Sequence, residues 1–555
     1  MVNILLQKSL GVLLKRQTNI LSAAFIIMST VILSQTLGLF RERLLRSIFG
    51  ASNTLGIYQF ASNLPDFIFQ LIIAAALSSA FIPVFSEYLT KGREEEAKKI
   101  ASTLLVMGLT VFGLLSIVLA VFAPTFLQIF NLGSQFTPEQ MRLMADLMRI
   151  ILIGQLLFII GSFFAALLQS YNHFFIPGIA AALYNLGIII GIGAFSPQLG
   201  IYSAPVGMII GGIFFVLMQI PIARHVKFSF NPTVDTFYSE GIRKIIKLMW
   251  PRTLSLLIFQ LGTLSIAVLI SVLSDPGRMY VIYNSAQTLA YAPVVLIGQA
   301  IAQAAFPVLS REKDKLNEYK STFLSSFNQL LYIILPISAI ILVLRIPIVR
   351  LIFGAQAFDW DATVLTGRTL ALLSISIFSQ ALITLVIRGF YALQNTVTPL
   401  LVGICTTVVL MILAYLLGLS YGFGIEGVAL ALTVGSILQL LILLFLLDKK
   451  TGGFDKRVVS LSLVKFFFAT LFMGFALYIP IKLLDQLVFD TTRTINLIIL
   501  TGISAAAGLS LYFFLTWLFN VKEAGMFIQL FKKLGNWKEI LGTSHETIEP
   551  TRVNP

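Results

Sequence analysis

Runs of about twenty apolar residues recur along this chain, and a helix of that length crosses a hydrocarbon core about 30 Å thick. They fall near residues 21–40, 57–85, 101–127, 147–170, 175–196, 201–223, 250–274, 280–308, 326–348, 368–393, 397–419, 424–447, 460–484 and 495–520. Short charged segments divide them. Of the 555 residues, 57% are hydrophobic and only 12% charged, more apolar surface than a water-soluble chain can hide. In lipid each segment must satisfy its own backbone polar groups. The pattern therefore predicts an all-α polytopic membrane protein with about fourteen transmembrane helices.

A formal net charge of +14 raises the question of nucleic acid, but the positive residues sit between apolar runs rather than on a soluble face. They read as topology signals. The first segment, every second loop after it and the C-terminal tail hold 25 of the 39 Lys and Arg residues. Eleven lie on the opposite side, and Arg252, Arg388 and Lys465 fall at span ends on the richer side. The positive-inside rule then places both termini in the cytoplasm. Residues 1–20, with Lys8, Lys15 and Arg16 among apolar residues, read as an amphipathic interfacial helix, and no cleavable signal sequence is expected. The tail 521–555 carries Lys522, Lys532, Lys533 and Lys538 and is expected to lie on anionic headgroups. A single Cys405 excludes a disulfide framework, and His173, His225 and His545 are too scattered to form a metal cluster.

The chain repeats itself. Residues 58–86 read YQFASNLPDFIFQLIIAAALSSAFIPVFS and residues 283–310 read YNSAQTLAYAPVVLIGQAIAQAAFPVLS. Tyr58, Ala61 and Leu64 match Tyr283, Ala286 and Leu289, and Pro83, Val84 and Ser86 match Pro307, Val308 and Ser310. Pro177 and Pro399 close two further similar stretches, 222 residues apart. Six spans separate the copies, so both cross in the same direction, as parallel repeats do. The expected organisation is an amphipathic segment 1–20, a six-helix bundle 21–223, a cytoplasmic linker 224–249, a second six-helix bundle 250–448, two further helices over 460–520 and the tail 521–555.

Polar residues inside lipid-solvated helices tend to face one another or a cavity. They concentrate in the first, second, seventh and eighth spans. The first holds Gln35, Arg41 and Glu42; the second Gln59, Asn63 and Asp66; the seventh Arg252 and Gln260; the eighth Asn284 and Gln287. For the amides, ordinary interhelical hydrogen bonding is the bland alternative. For the Arg41–Glu42 pair it is an interfacial ion pair. The functional alternative is a hydrophilic cleft between the bundles, in which an arginine fork grips phosphate oxygens. Pro65, Pro83 and Pro307 are expected to mark kinks or ends of the second and eighth spans.

Several stretches resemble the MurJ-type lipid II flippases, within the wider superfamily of polysaccharide exporters and multidrug extruders. LSQTLGLFRERLLRSIFGA (33–51), NLPDFIFQ (63–70) and LSSAFIPVFSEY (77–88) resemble that family's SRxLGFxRD, (K/R)xPNLLRR and GALSxAFIPVxxEY segments. RGFYALQNTVTP (388–399) resembles RxFYALxDTxTP, and FPVLSR (306–311) resembles LPxLSR. The likeness runs from about residue 20 to 450. It implies a flippase that turns lipid II, an undecaprenyl-pyrophosphate-linked glycopeptide, from the inner to the outer leaflet of a bacterial cytoplasmic membrane by alternating access. It also implies arginines contacting the pyrophosphate. Of four such positions this chain keeps Arg41, with Glu42 for the usual Asp, while Gln35, Phe69 and Thr288 stand at the other three. The family's early acidic residue falls on Gly56, and its Asn after the proline on Asp66.

The substrate-binding residues expected from both readings are Arg41, Gln35, Asp66, Asn63, Arg252, Gln260, Asn284 and Gln287. No nucleophile–base pair is evident, so a transporter rather than an enzyme is expected. No cofactor is expected beyond a coupling ion or the membrane potential. The expected partners are the lipid-linked glycan, membrane lipids and cell-wall synthesis proteins, with no nucleic acid. The alternatives are a flippase for another polyprenyl-pyrophosphate glycan, an ion-coupled multidrug or metabolite extruder in which Asp66 is the coupling carboxylate, a membrane glycosyltransferase, and a non-transporting scaffold.

Overall fold

The computed structural model describes residues 20–74, 77–129, 135–454, 456–487 and 493–525. The segment expected over 1–20 and most of the tail expected over 521–555 lie outside the described residues. Every regular element among the described residues is helical. The chain divides into two compact units, one running to Leu264 and the other beginning at Ser265.

The first unit contains α1 (Ile20–Phe49), α2 (Asn53–Phe69), α3 (Ile82–Thr90), α4 (Glu94–Val121), α5 (Ala123–Ile129), α6 (Pro138–Ser170), α7 (Phe175–Leu199), α8 (Ser203–Leu217), α9 (Ile220–His225) and most of α10 (Glu240–Ser271). Local chemistry starts these helices. The Ser52 side chain accepts from the Leu55 N–H at the head of α2, and Thr137 and Gln140 form a reciprocal capping box at the head of α6. Glu94, Glu95 and Glu96 open α4, where negative charge complements the helix dipole. Apolar packing holds the bundle: Phe81, Phe85 and Phe163 are buried in one cluster with Ala101, Leu167 and Ile242.

α7 and α8 form a tight antiparallel hairpin, with Gly187 facing Gly211 and Gly191 facing Gly207. A Cβ on Gly187 would stand 2.3 Å from the Gly211 Cα, so a side chain there must part the helices. Gly187→Val is expected to cost about 1–3 kcal/mol by overpacking, read as a lowered thermal unfolding midpoint of the purified protein.

The second unit contains the end of α10, α11 (Pro276–Pro293), α12 (Ala300–Arg311), α13 (Leu316–Val343), α14 (Arg345–Phe353), α15 (Trp360–Ala392), α16 (Val397–Tyr415), α17 (Gly424–Thr451), α18 (Lys456–Leu487) and α19 (Thr494–Leu518). α15 is its central post and packs on α11, α13 and α17. Asp359 caps α15 and also receives both Arg278 Nη atoms at 2.9 and 3.0 Å. α18 and α19 pair with each other and dock on α13, where Tyr512 donates to the Tyr332 carbonyl at 2.8 Å.

The internal repeat reaches well beyond the matched letters. α4 and α13 are both 28 residues long and begin 222 residues apart. α6 and α15 are both 33 residues long with the same offset, and α7 and α16 begin 222 apart. Even the backbone irregularities recur. Asn172 and Gln394, again 222 apart, both adopt positive φ in the turns that follow α6 and α15. Wide π-helical turns interrupt the second span at Gln70–Ala74 and Leu77–Phe81, and the eighth at Val294–Gln299. These turns, rather than the prolines alone, carry the irregularity: Pro83 follows directly on the second of them, in the first turn of α3.

Ten helical stretches among the described residues are long and apolar enough to cross a membrane. One of them, Phe175–His225, is 51 residues long and contains the α7–α8 hairpin, so it makes two passes. α1, α2 and α10 are not among the ten, although Gln260–Ser271 of α10 is a shorter apolar helix. Length and composition thus establish a multi-pass helical membrane protein but not the count of fourteen. Exposed side chains agree: Val397, Leu401, Ile404, Val408 and Ile412 line one stripe of α16 at helical spacing. An apolar stripe of that size belongs against lipid.

Candidate functional site

The first unit builds a polar site from α1, α2, α6 and α7. Ser34, Gly38 and Arg41 share one face of α1 by helical spacing, and that face meets Asn185 of α7. Arg41 Nη1 donates to Asn185 Oδ1 at 3.0 Å, while Asn185 Nδ2 donates to the Ser34 carbonyl and hydroxyl, both at 3.3 Å. The helices come this close because Thr30 packs directly over Gly178, where a Cβ would stand 2.2 Å from the threonine oxygen.

Glu42 joins two arginines. Its Oε1 accepts from Arg41 Nη2 at 2.8 Å, and its Oε2 accepts from Arg46 Nη1 one helical turn later. The Arg46 side chain is 0% exposed, that of Glu42 18% and that of Arg41 28%. A guanidinium has five N–H donors. Two of those on Arg41 are committed to Asn185 and Glu42, so three remain on a partly accessible group that its neighbours already orient.

Asp66 of α2 lies in the same site. Gln155 of α6, itself buried, donates to its carboxylate at 2.5 Å. Asp66, Tyr58 and Tyr184 are all near enough to Arg41 to interact with its charge. Asn63, half-buried, is one helical turn before Asp66 on the same face. Removing the carboxylate would strand the Gln155 amide, at about 1–3 kcal/mol for a buried donor without an acceptor. Asp66→Ala is therefore expected to lower transport at least tenfold, and Asp66→Asn, which still accepts from Gln155, to do so mildly. Transport normalised to membrane-inserted protein checks this; an unaffected Ala variant would assign Asp66 to packing.

The remaining expected residues are placed elsewhere. Gln35 is exposed on α1, one position round from Ser34. Gln260 is half-buried on α10, and the Arg252 side chain lies outside the described residues. Asn284 and Gln287 belong to α11 of the second unit, both half-buried, and Thr288 donates back to the Asn284 carbonyl at 2.8 Å. Phe69 is buried against Phe158 with ring centroids 5.3 Å apart, and Phe158 in turn packs on Tyr184 and Phe215. An aromatic cluster and a hydroxyl bonded back to its own helix thus occupy two of the positions where the resemblance implied cations. Sequence reasoning missed Gln155, Asn185 and Tyr184. The only signal for the two amides is that each stands alone within an otherwise apolar run.

A family model described as lipid II flippase MurJ matches residues 45–497. A probable lipid II flippase MurJ of Buchnera aphidicola (subsp. Schizaphis graminum) is 26% identical over 505 residues, covering 87% of this chain and 95% of the relative. Among solved structures, an inward closed conformation of lipid II flippase MurJ superposes with a TM-score of 0.71 at 23% identity, over 88% of this chain and 99% of the other. An inward-facing multidrug resistance MATE family transporter of the MOP superfamily gives 0.64 at 14% identity, over 77% and 98%. The last two show the shared fold; the family match, over most of the chain, settles kinship, and the chain belongs to the lipid II flippase MurJ family.

Proposed function

We propose that this protein is a flippase that carries lipid II from the inner to the outer leaflet of a bacterial cytoplasmic membrane. The observation that carries the reading is Arg41: within a chain of this family, one guanidinium is oriented by Glu42 and Asn185, keeps three donors and stays partly accessible. A diphosphate offers the matching planar, bidentate acceptors. Arg41, Asp66 and Asn63 would hold the polar headgroup, with Gln35, Arg252, Gln260, Asn284 and Gln287 contributing as the protein alternates its access. The apolar tail stays in lipid. No bond is made or broken, so the protein acts as a transporter and needs no cofactor beyond a coupling ion or the membrane potential. Both termini lie in the cytoplasm, as the Lys and Arg distribution supports, and cell-wall synthesis proteins are its natural neighbours.

A second headgroup is favoured by one observation. Phe69 and Thr288 stand where the family resemblance implied arginines and are packed or internally bonded, which suits a less highly charged lipid-linked glycan. Complementation separates the two. In a bacterium depleted of its lipid II flippase, this chain is expected to restore growth and outer-leaflet lipid II. Verified membrane expression without rescue would favour the second reading.

A further inference from the structure

Away from the polar site, the first unit holds an apolar cavity of about 530 Å³. Its walls are the π-helical stretch of the second span, α4 from Leu104 to Leu115, and α10 from Ile245 to Thr253. Thr253, the one polar residue among its described walls, already donates its hydroxyl to the Leu71 carbonyl. Among the described residues, water finds fewer than the two to four polar partners it needs in such a space. Gly108 opens the middle of the cavity, and exposed Val111, Leu115, Ile246 and Trp250 form its rim toward the lipid-facing surface.

Length and charge specify the occupant. The α4 wall from Leu104 to Leu115 rises about 16 Å, the depth of one leaflet of a hydrocarbon core about 30 Å thick. Along α10, Arg243, Ile246, Lys247 and Trp250 follow one another at helical spacing on one stripe. The apolar wall therefore runs directly into two exposed cations at the end of the helix. Neither Arg243 nor Lys247 forms an ion pair among the described residues, whereas their neighbour Lys244 is held by Glu87. Trp250, one turn beyond Lys247 on the same stripe, edges the apolar wall next to the cations, as tryptophans do at a membrane interface.

We propose that this cavity is a binding site for an anionic phospholipid of the cytoplasmic leaflet, one acyl chain filling the space between α2, α4 and α10 and the phosphate resting on Arg243 and Lys247. The chain packs against the π-helical turn at Gln70–Ala74, so a bound lipid supports the irregular stretch of the second span. The site takes its orientation from the positive-inside reading and is otherwise independent of what the protein carries.

The test uses the full chain in nanodiscs containing a trace of phosphatidylglycerol with a photoreactive acyl chain, or the matching phosphatidylcholine. No transport is required, so failure here and failure of the flippase reading are separate results. Expected is labelling of peptides within 104–115 and 245–253, with phosphatidylglycerol preferred. Arg243→Gln and Lys247→Gln should each lower that preference about fivefold, the factor corresponding to about 1 kcal/mol per basic residue near an anionic surface. Gly108→Leu, which fills the cavity, should remove the labelling. If that variant misfolds, the two charge variants still decide. Labelling indifferent to headgroup and to both charge variants would overturn the proposal, as would no labelling of these peptides. Displacement of the probe by a polyprenyl phosphate but not by unlabelled phosphatidylglycerol would also overturn it, by assigning the cavity to a substrate tail.

Discussion

Arg41→Ala is expected to abolish flipping while leaving membrane insertion intact. Two charge-assisted hydrogen bonds to a phosphate, each worth about 1.5–3 kcal/mol, correspond to a loss of at least a hundredfold. Arg41→Lys keeps the charge but not the planar fork, and an ammonium cannot reach Asn185, Glu42 and a diphosphate together. Its rate should fall between, roughly tenfold down by the loss of one such bond. Initial rates in vesicles, scaled to reconstituted protein, read both. A wild-type rate for the Ala variant would remove Arg41 from the headgroup site.

The largest loss of stability is expected from Glu42→Ala. Arg46 is fully buried and its guanidinium meets the Glu42 carboxylate, which also anchors Arg41. Deleting the shared carboxylate leaves two like charges facing each other, one of them without access to solvent. Breaking a buried pair from one side costs about 3–5 kcal/mol, seen as a lower unfolding midpoint and poorer yield. Replacing the pair together, Glu42→Leu with Arg46→Met, should return much of the stability, because the fully buried guanidinium goes with its carboxylate while Arg41 keeps partial access to solvent. Transport should not return with it, since Arg41 has lost its anchor. A Glu42→Ala variant as stable as wild type would show that Arg46 finds another counter-charge.

The sequence made the membrane architecture and the repeat legible because both are periodic. Lipid imposes a length on every apolar run, and the repeat preserved element lengths so closely that α4 and α13, or α6 and α15, still match residue for residue. Arg41, Glu42 and Asp66 were legible because a charge in a span is conspicuous. Their partners were not. Asn185 and Gln155 acquire meaning only when α7 packs on α1 and α6 packs on α2, and no local pattern announces which lone amide will meet a charge. Nothing in the sequence sets Arg46 apart from Arg43, yet the fold buries it against Glu42. The π-helical turns were invisible for a similar reason: prolines point to irregularity nearby but not to the turns that absorb it. Phe69 was legible only as a departure from a family pattern, and its stacking on Phe158 supplies the positive reason for it.

The central claim is best tested by placing the purified chain in lipid vesicles with fluorescent lipid II in one leaflet and following its appearance in the other. The account predicts protein-dependent transfer that Arg41→Ala eliminates. Transfer no faster than in protein-free vesicles, with correctly inserted protein and an imposed ion gradient or membrane potential, would contradict it.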